Sequence, residues 1–252
     1  MRNLMLFALL AAPLAQAQNL EVPANSMLRL PTKSAEVHLE QLRVANDATL
    51  LLPATLASLT VDRLELGRDA RIAVAPADTP LLIEAASASL GEGSEFSAPG
   101  APGTYERAAR SGRGLDLKLA QVQGEQLSID ARGGAGAPGF AGLDGANGQA
   151  GGCTWGRASR GFNGDDGGNG HDGAPGGRIR LSVPEAFPAE RIKVRLDGGA
   201  PGKPGAAGQA GKGGASKGCL VYRTSPGNSG RAGQPGQPGL AGAAGELILQ
   251  RL

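Results

Sequence analysis

The chain has 252 residues, 25 of them basic and 23 acidic, and the resulting net charge of +2 gives no sign of a nucleic-acid partner. Forty-two glycines beside 3% aromatic residues exclude a conventional bulky core over the full length. The only histidines are His38 and His171, so no Ser–His–Asp grouping or HExxH-type metal site can be assembled, and a non-enzymatic protein without cofactor or metal is expected.

Residues 1–17 read as a secretory signal peptide, with Arg2, an apolar run from Leu4 to Leu14, and Ala15-Gln16-Ala17 as a small-residue cleavage site. The apolar run is too short to span a bilayer, and no later stretch reaches 18 continuous apolar residues, so no transmembrane anchor is expected. The competing reading is an uncleaved anchor. Export from near Gln18 implies an extracellular or cell-surface protein, with the periplasm as the alternative. It also places the two cysteines in an oxidising compartment where they can pair.

After a short N-terminal segment, 18–35, a repeat occupies 36–131. Leu42, Val44, Ala48, Leu50 and Leu52 recur 22 residues later as Leu64, Leu66, Ala70, Ile72 and Val74. They recur again, 24 residues on, as Ala88, Leu90, Ser94, Phe96 and Ala98. Alternating apolar positions in phase at this period are what a short right-handed parallel β-helix requires, because each rung buries its apolar face against its neighbours. A β-sandwich is the alternative. The stretch 98–113, rich in Gly, Pro and Ala, reads as an irregular loop between rungs.

Residues 132–252 carry glycine at every third position in four runs: 133–151, 161–176, 199–214 and 227–245. The in-phase positions of these runs hold 26 of the 42 glycines. A three-residue period matches an extended helix with three residues per turn, so the glycines form one edge where backbones can meet. Strand-like segments flank the runs, and each pair of runs encloses one cysteine, Cys153 or Cys219. The region therefore reads as two copies of one hairpin, extruded from the later rungs of an otherwise all-β chain. At roughly 3.1 Å per residue, each cysteine lies about 60 Å from its hairpin base.

The triplets GAPGFAGLDGANGQAG, GAPGKPGAAGQAG and GQPGQPGLAGAAG resemble those of secreted bacterial collagen-like proteins. Collagen, however, needs three parallel chains with long unbroken triplets, whereas hairpin runs must be antiparallel. The pattern is more similar to the polyglycine-II bundles of a snow-flea antifreeze protein and of some phage tail-fibre adhesins, which implies antiparallel extended helices packed through their glycine edges. A collagen trimer and a disordered linker are the alternatives, and the strict register argues against the linker.

Cys153 and Cys219 at matching height predict a disulfide between the hairpin tips, with an intermolecular bridge as the alternative. Trp155, Arg157, Arg160, Tyr222 and Arg223 lie close to these cysteines, combining aromatic and cationic groups of the kind enriched at binding hot spots. The competing reading is that the aromatics cap the bundle end. Lys203, Lys212, Lys217 and Arg231 form a basic flank, since no acidic residue lies between Asp197 and Glu246. The stretch GGNGHD (167–172), with Asp165 and Asp166 upstream, matches the start of the calcium-binding nonapeptide repeat, but it occurs once and Ala174 stands where a large apolar residue belongs. The expected function is structural or adhesive, at the bacterial cell surface or in the extracellular matrix, with self-association into a homo-oligomer as one mode of assembly. The alternative is a ligand-binding module for an anionic polysaccharide or other surface polymer, or for ice.

Overall fold

A computed structural model describes residues 19–154 and 156–252, so the signal-peptide reading of 1–17 and the position of Trp155 lie outside the described residues. The described chain is all-β apart from one 3-10 turn, Ala189–Arg191. One sheet contains, in spatial order, β1 (Asn19–Val22), β3 (Glu36–Val44), β5 (Ser58–Leu66), β7 (Leu81–Leu90), β9 (Leu115–Leu119), β12 (Arg178–Val183) and β14 (Glu246–Arg251), with β10 (Val122–Gly124) also on β7. The other contains β2 (Met27–Arg29), β4 (Thr49–Leu52), β6 (Arg71–Val74), β8 (Glu95–Ser97), β11 (Leu127–Asp130) and β13 (Ile192–Arg195). Every pairing between these strands is parallel, which removes the antiparallel sandwich.

The register follows the sequence repeat. Leu42 pairs with Leu64 and Leu64 with Ala88 in the first sheet, while Leu50 pairs with Ile72 and Ile72 with Phe96 in the second. All fifteen aligned positions are buried, so the repeat is the inward face of both sheets. Between the sheets the chain turns through Asn25, Asp47 and Asp69, whose φ values of 55°, 57° and 52° are left-handed, and then through Gly93 at 71°. Asn and Asp tolerate that region because their short side chains bond locally. The amides of Asn25, Asp47 and Asp69 donate to the carbonyls of Asn46, Arg68 and Glu92, so the turns stack as the strands do.

Arg113 is fully buried at the edge of this core. Its guanidinium donates to the carbonyls of Leu56 (2.6 Å), Thr79 (2.9 Å) and Ala75 (3.3 Å), and burial lowers its pKa from the ordinary value. It thereby serves chain turns on several levels of the stack with a single side chain.

The four glycine runs are ordered by one hydrogen-bond rule. In run 1 (133–151) the glycine amides donate to run 3 (199–214), as in Gly139 to Lys203 at 2.8 Å, and in run 2 (161–176) they donate to run 4 (227–245), as in Gly167 to Gln234 at 2.8 Å. Partner numbers rise together in both sets, so runs 1 and 3 are parallel, as are runs 2 and 4. Glycines of run 3 donate to run 2 and those of run 4 to run 3, with partner numbers running oppositely, so these contacts are antiparallel. Runs 1 and 2 are also antiparallel, through bonds such as His171 to Ala137 at 2.9 Å. All 26 in-phase glycines donate in this way.

The two layers continue the two sheets. Runs 1 and 3 leave from β11 and β13, and runs 2 and 4 return into β12 and β14. The parallel pairing of β11 with β13 passes through Ala131 to Arg195 and Gly133 to Asp197 directly into the pairing of runs 1 and 3. The stretch 98–113 is not the irregular loop expected from its composition. Gly100 and Gly103 donate to Arg132 and Ala135 beside run 1, and Arg110 donates back to Ala101, which makes it a short first hairpin of the same construction. Only two triplets, ending at Gly100 and Gly103, fall in phase there, too few to stand out from a Gly/Pro-rich loop.

Candidate functional site

The far end of the glycine layers is the site on which the sequence reading converges. A disulfide joins Cys153 and Cys219, with their Cα atoms 5.7 Å apart. Around Cys219 the chain makes a tight turn: Gly218 and Arg223 form an antiparallel bridge, and the Cys219 amide donates to the Tyr222 carbonyl at 2.7 Å. Thr224 braces the base of this turn, since its Oγ1 accepts the Lys217 amide at 2.8 Å while its own amide donates to the Lys217 carbonyl at 2.9 Å. The Tyr222 hydroxyl donates to the Cys153 carbonyl, so this aromatic ties the second tip to the first. Leu220 and Val221, at the apex, are left fully exposed to solvent.

Arg157, Tyr222 and Arg223 line one open concavity of about 690 Å³ between the two tip loops. Arg160 lies outside it and donates to Asn163 Oδ1 at 3.2 Å. Lys203 and Lys212 sit on run 3 and Arg231 on run 4, all exposed, while Lys217 belongs to the tip turn. The structure thus gathers Arg157, Tyr222, Arg223 and Lys217 around the tip and distributes the remaining basic residues along the glycine runs. A second open groove, of about 710 Å³, crosses the outer face of the first sheet between Arg43, Arg63, Ser87, Gln121 and Gln123. There Arg43 faces Glu21 at 3.7 Å and Glu65 at 3.9 Å, so its charge is engaged.

The acidic stretch with the calcium-like motif has a different use here. Along run 2 the side-chain oxygens of Asn163, Asp166, Asn169 and Asp172 accept the amides of Arg231, Gln234, Gln237 and Leu240 at 2.6 to 2.9 Å. Asp144 and Asn147 on run 1 do the same for Gln209 and Lys212 on run 3, both at 2.7 Å. This Asx ladder supplies acceptors to amides that the glycine lattice leaves over. It was readable in principle as Asn or Asp immediately before glycine in four successive triplets, FNG, DDG, GNG and HDG.

At the opposite end, where the glycine runs meet the sheets, Arg71, Glu95, Arg195, Asp130 and Arg132 form a continuous chain of ion pairs, with N···O distances of 2.6 to 3.2 Å. Burial pushes the Asp130 carboxyl up, but hydrogen bonds from the side chain and backbone of Arg132, with the charges of Arg132 and Arg195, outweigh it and hold the pKa below the ordinary value. The same partner raises the Arg132 guanidinium.

No protein-family model, curated protein or solved structure matches the chain.

Proposed function

We propose that this chain is an exported structural or adhesive protein of the bacterial cell surface or extracellular matrix, in which a short right-handed parallel β-helix forms the base and two polyglycine-II hairpins form a stiff stalk. The handedness follows the strong preference of strand–crossover–strand units. The likeness to bacterial collagen-like proteins is then one of triplet composition, with antiparallel runs of one chain in place of three parallel chains.

The observation that supports this reading most directly is the lattice itself. All 26 in-phase glycines donate to a neighbouring run or to a residue just beyond its ends, and the lattice ends in a disulfide-tied tip about 60 Å from the base. Such a construction offers reach and a displayed end. Binding of an anionic surface polymer is the second reading, and it rests on the cations collected around that end.

The test is co-sedimentation of the mature protein with isolated bacterial envelopes and with an insoluble anionic polysaccharide. Binding to envelopes is expected, with a drop of about fivefold or more for Arg157→Ser with Arg223→Ser, on the scale of a cation near an anionic surface. Arg63→Ser in the groove should leave it unchanged. A protein that binds neither material, or whose binding follows Arg63 rather than the tip, would sink the reading.

A further inference from the structure

The apex of the tip is occupied by aliphatic side chains rather than by the polar residues that usually cover a solvent-facing turn. Leu220 and Val221 are the most exposed large apolar residues of the described chain. The turn that carries them is fixed on every side, by the disulfide, by the Gly218–Arg223 bridge, by the Tyr222 hydroxyl on Cys153 and by Thr224 on Lys217. The pair therefore cannot fold back to bury itself without breaking those bonds.

The charge around the apex is of one sign. The carboxylates nearest the tip are Asp144 on run 1 and Asp165 on run 2, and these residues accept the amides of Gln209 and Gly208 of run 3. From that level to the tip the chain carries Arg157, Arg160, Lys212, Lys217, Arg223 and Arg231 and no acidic residue. Among the described residues none of these six is in an ion pair. Tyr222, about half exposed, stands one step down the turn from the aliphatic apex, opposite Cys219, with Arg223 and Lys217 beyond it, the order in which amphipathic rings and cations follow apolar residues at a membrane interface.

Apolar apex, aromatic collar and cationic girdle, in that order along one axis, match the layering of an anionic bilayer surface. We propose that the stalk tip docks on an anionic phospholipid bilayer, with Leu220 and Val221 entering the headgroup–acyl boundary and the cations meeting lipid phosphates. This rests on the adhesive reading and specifies its target. A soluble polyanion would engage the cations equally well but gives the two aliphatic residues nothing to contact, which is why the lipid surface is favoured.

The experiment uses the full mature protein with its disulfide intact. Flotation is measured with vesicles of phosphatidylcholine alone and with vesicles containing about one-third phosphatidylglycerol, at low and at near-physiological salt. Binding is expected to the anionic vesicles only, about tenfold weaker for Leu220→Ser with Val221→Ser and also weaker for Arg157→Ser with Arg223→Ser. A Leu220→Trp variant carrying Trp155→Phe should show a blue-shifted emission on anionic vesicles, which reports insertion directly. Circular dichroism and the absence of free thiol establish that each variant retains the fold. Full binding by the Leu220/Val221 variant, or no emission shift, overturns insertion. Binding to envelopes and to anionic polysaccharide but not to vesicles overturns the lipid proposal and leaves the adhesive reading standing, whereas loss of all three removes both.

Discussion

At Gly205 the space a side chain would need is already taken by backbone. A Cβ there would meet the carbonyl oxygen of Phe140 and come within 3.0 Å of the amide nitrogen of Gly168, neither of which can move without breaking the lattice. Its neighbour Ala206 is exposed. Gly205→Ala should therefore cost at least about 2 kcal/mol, as overpacking of a close-packed site does. Ala206→Val should stay within about 0.5 kcal/mol. Urea titration of the two variants checks this, and equal midpoints would mean that run 3 is not packed. The period-three glycines were legible in the sequence because a missing Cβ is a property of the residue itself. Arg113 was not legible, since nothing local marks an arginine that will reach the carbonyls of Leu56, Ala75 and Thr79 far away in the chain. Arg113→Met removes the donors and leaves three buried acceptors, each costing about 1–3 kcal/mol when unsatisfied. A loss of at least about 3 kcal/mol is expected, and a midpoint shift below about 1 kcal/mol would show that water replaces the guanidinium.

The strands show which part of an element's environment its own sequence encodes. Alternation placed Ile72 inside and Arg71 outside, and Ile72 is fully buried on β6 while Arg71 faces out. Ile72→Asp, which buries an unpaired charge, should abolish folding or secretion. Arg71→Asp is a poor control, because Arg71 lies 3.2 Å from Glu95, and a carboxylate there would oppose another on the neighbouring strand. Arg71→Gln should fold normally and lose less than about 1 kcal/mol. Inward and outward facing was thus readable from period two, but the ion-pair chain across β6, β8, β11 and β13 was not, since it depends on which strands the hairpin insertions bring together. That chain also predicts a pH dependence. The folded pKa of Asp130 lies below its unfolded value of about 3.9, so its stabilising contribution is fully present above that pH and is lost as pH falls through the folded value. Asp130→Asn should therefore be less stable than the parent at pH 7, and the gap should narrow as pH falls below the unfolded value. A gap that does not change with pH would place the effect in packing rather than charge.

At the scale of the molecule, the base and the stalk are held by different forces. The buried apolar cluster runs through both sheets and ends near Ala131 and Phe187, whereas Phe140, Leu143, Phe162 and Leu240 on the runs are exposed, so the stalk relies on hydrogen bonds, the Asx ladder and the disulfide. Hydrogen exchange can read that division residue by residue. Within run 3 the amides of Gly202, Gly205, Gly208 and Gly211 have carbonyl acceptors and those of Gln209 and Lys212 have Asx acceptors, while among the described residues those of Lys203 and Ala206 have none. The first two groups should be protected and the last should exchange rapidly, a pattern that neither a collagen-like trimer nor a disordered linker would reproduce. The disulfide closes 66 residues of chain, worth about 4 kcal/mol in the loop-entropy estimate. Replacing both cysteines by serine should therefore loosen the stalk from the tip inward, with Gly211 and Gly214 losing protection first and Gly199 last. The strand amides of Leu64 and Ile72 should keep theirs, because the apolar core that protects them does not involve the tip. If the base amides lose protection together with Gly214, base and stalk unfold as one cooperative unit despite their different packing.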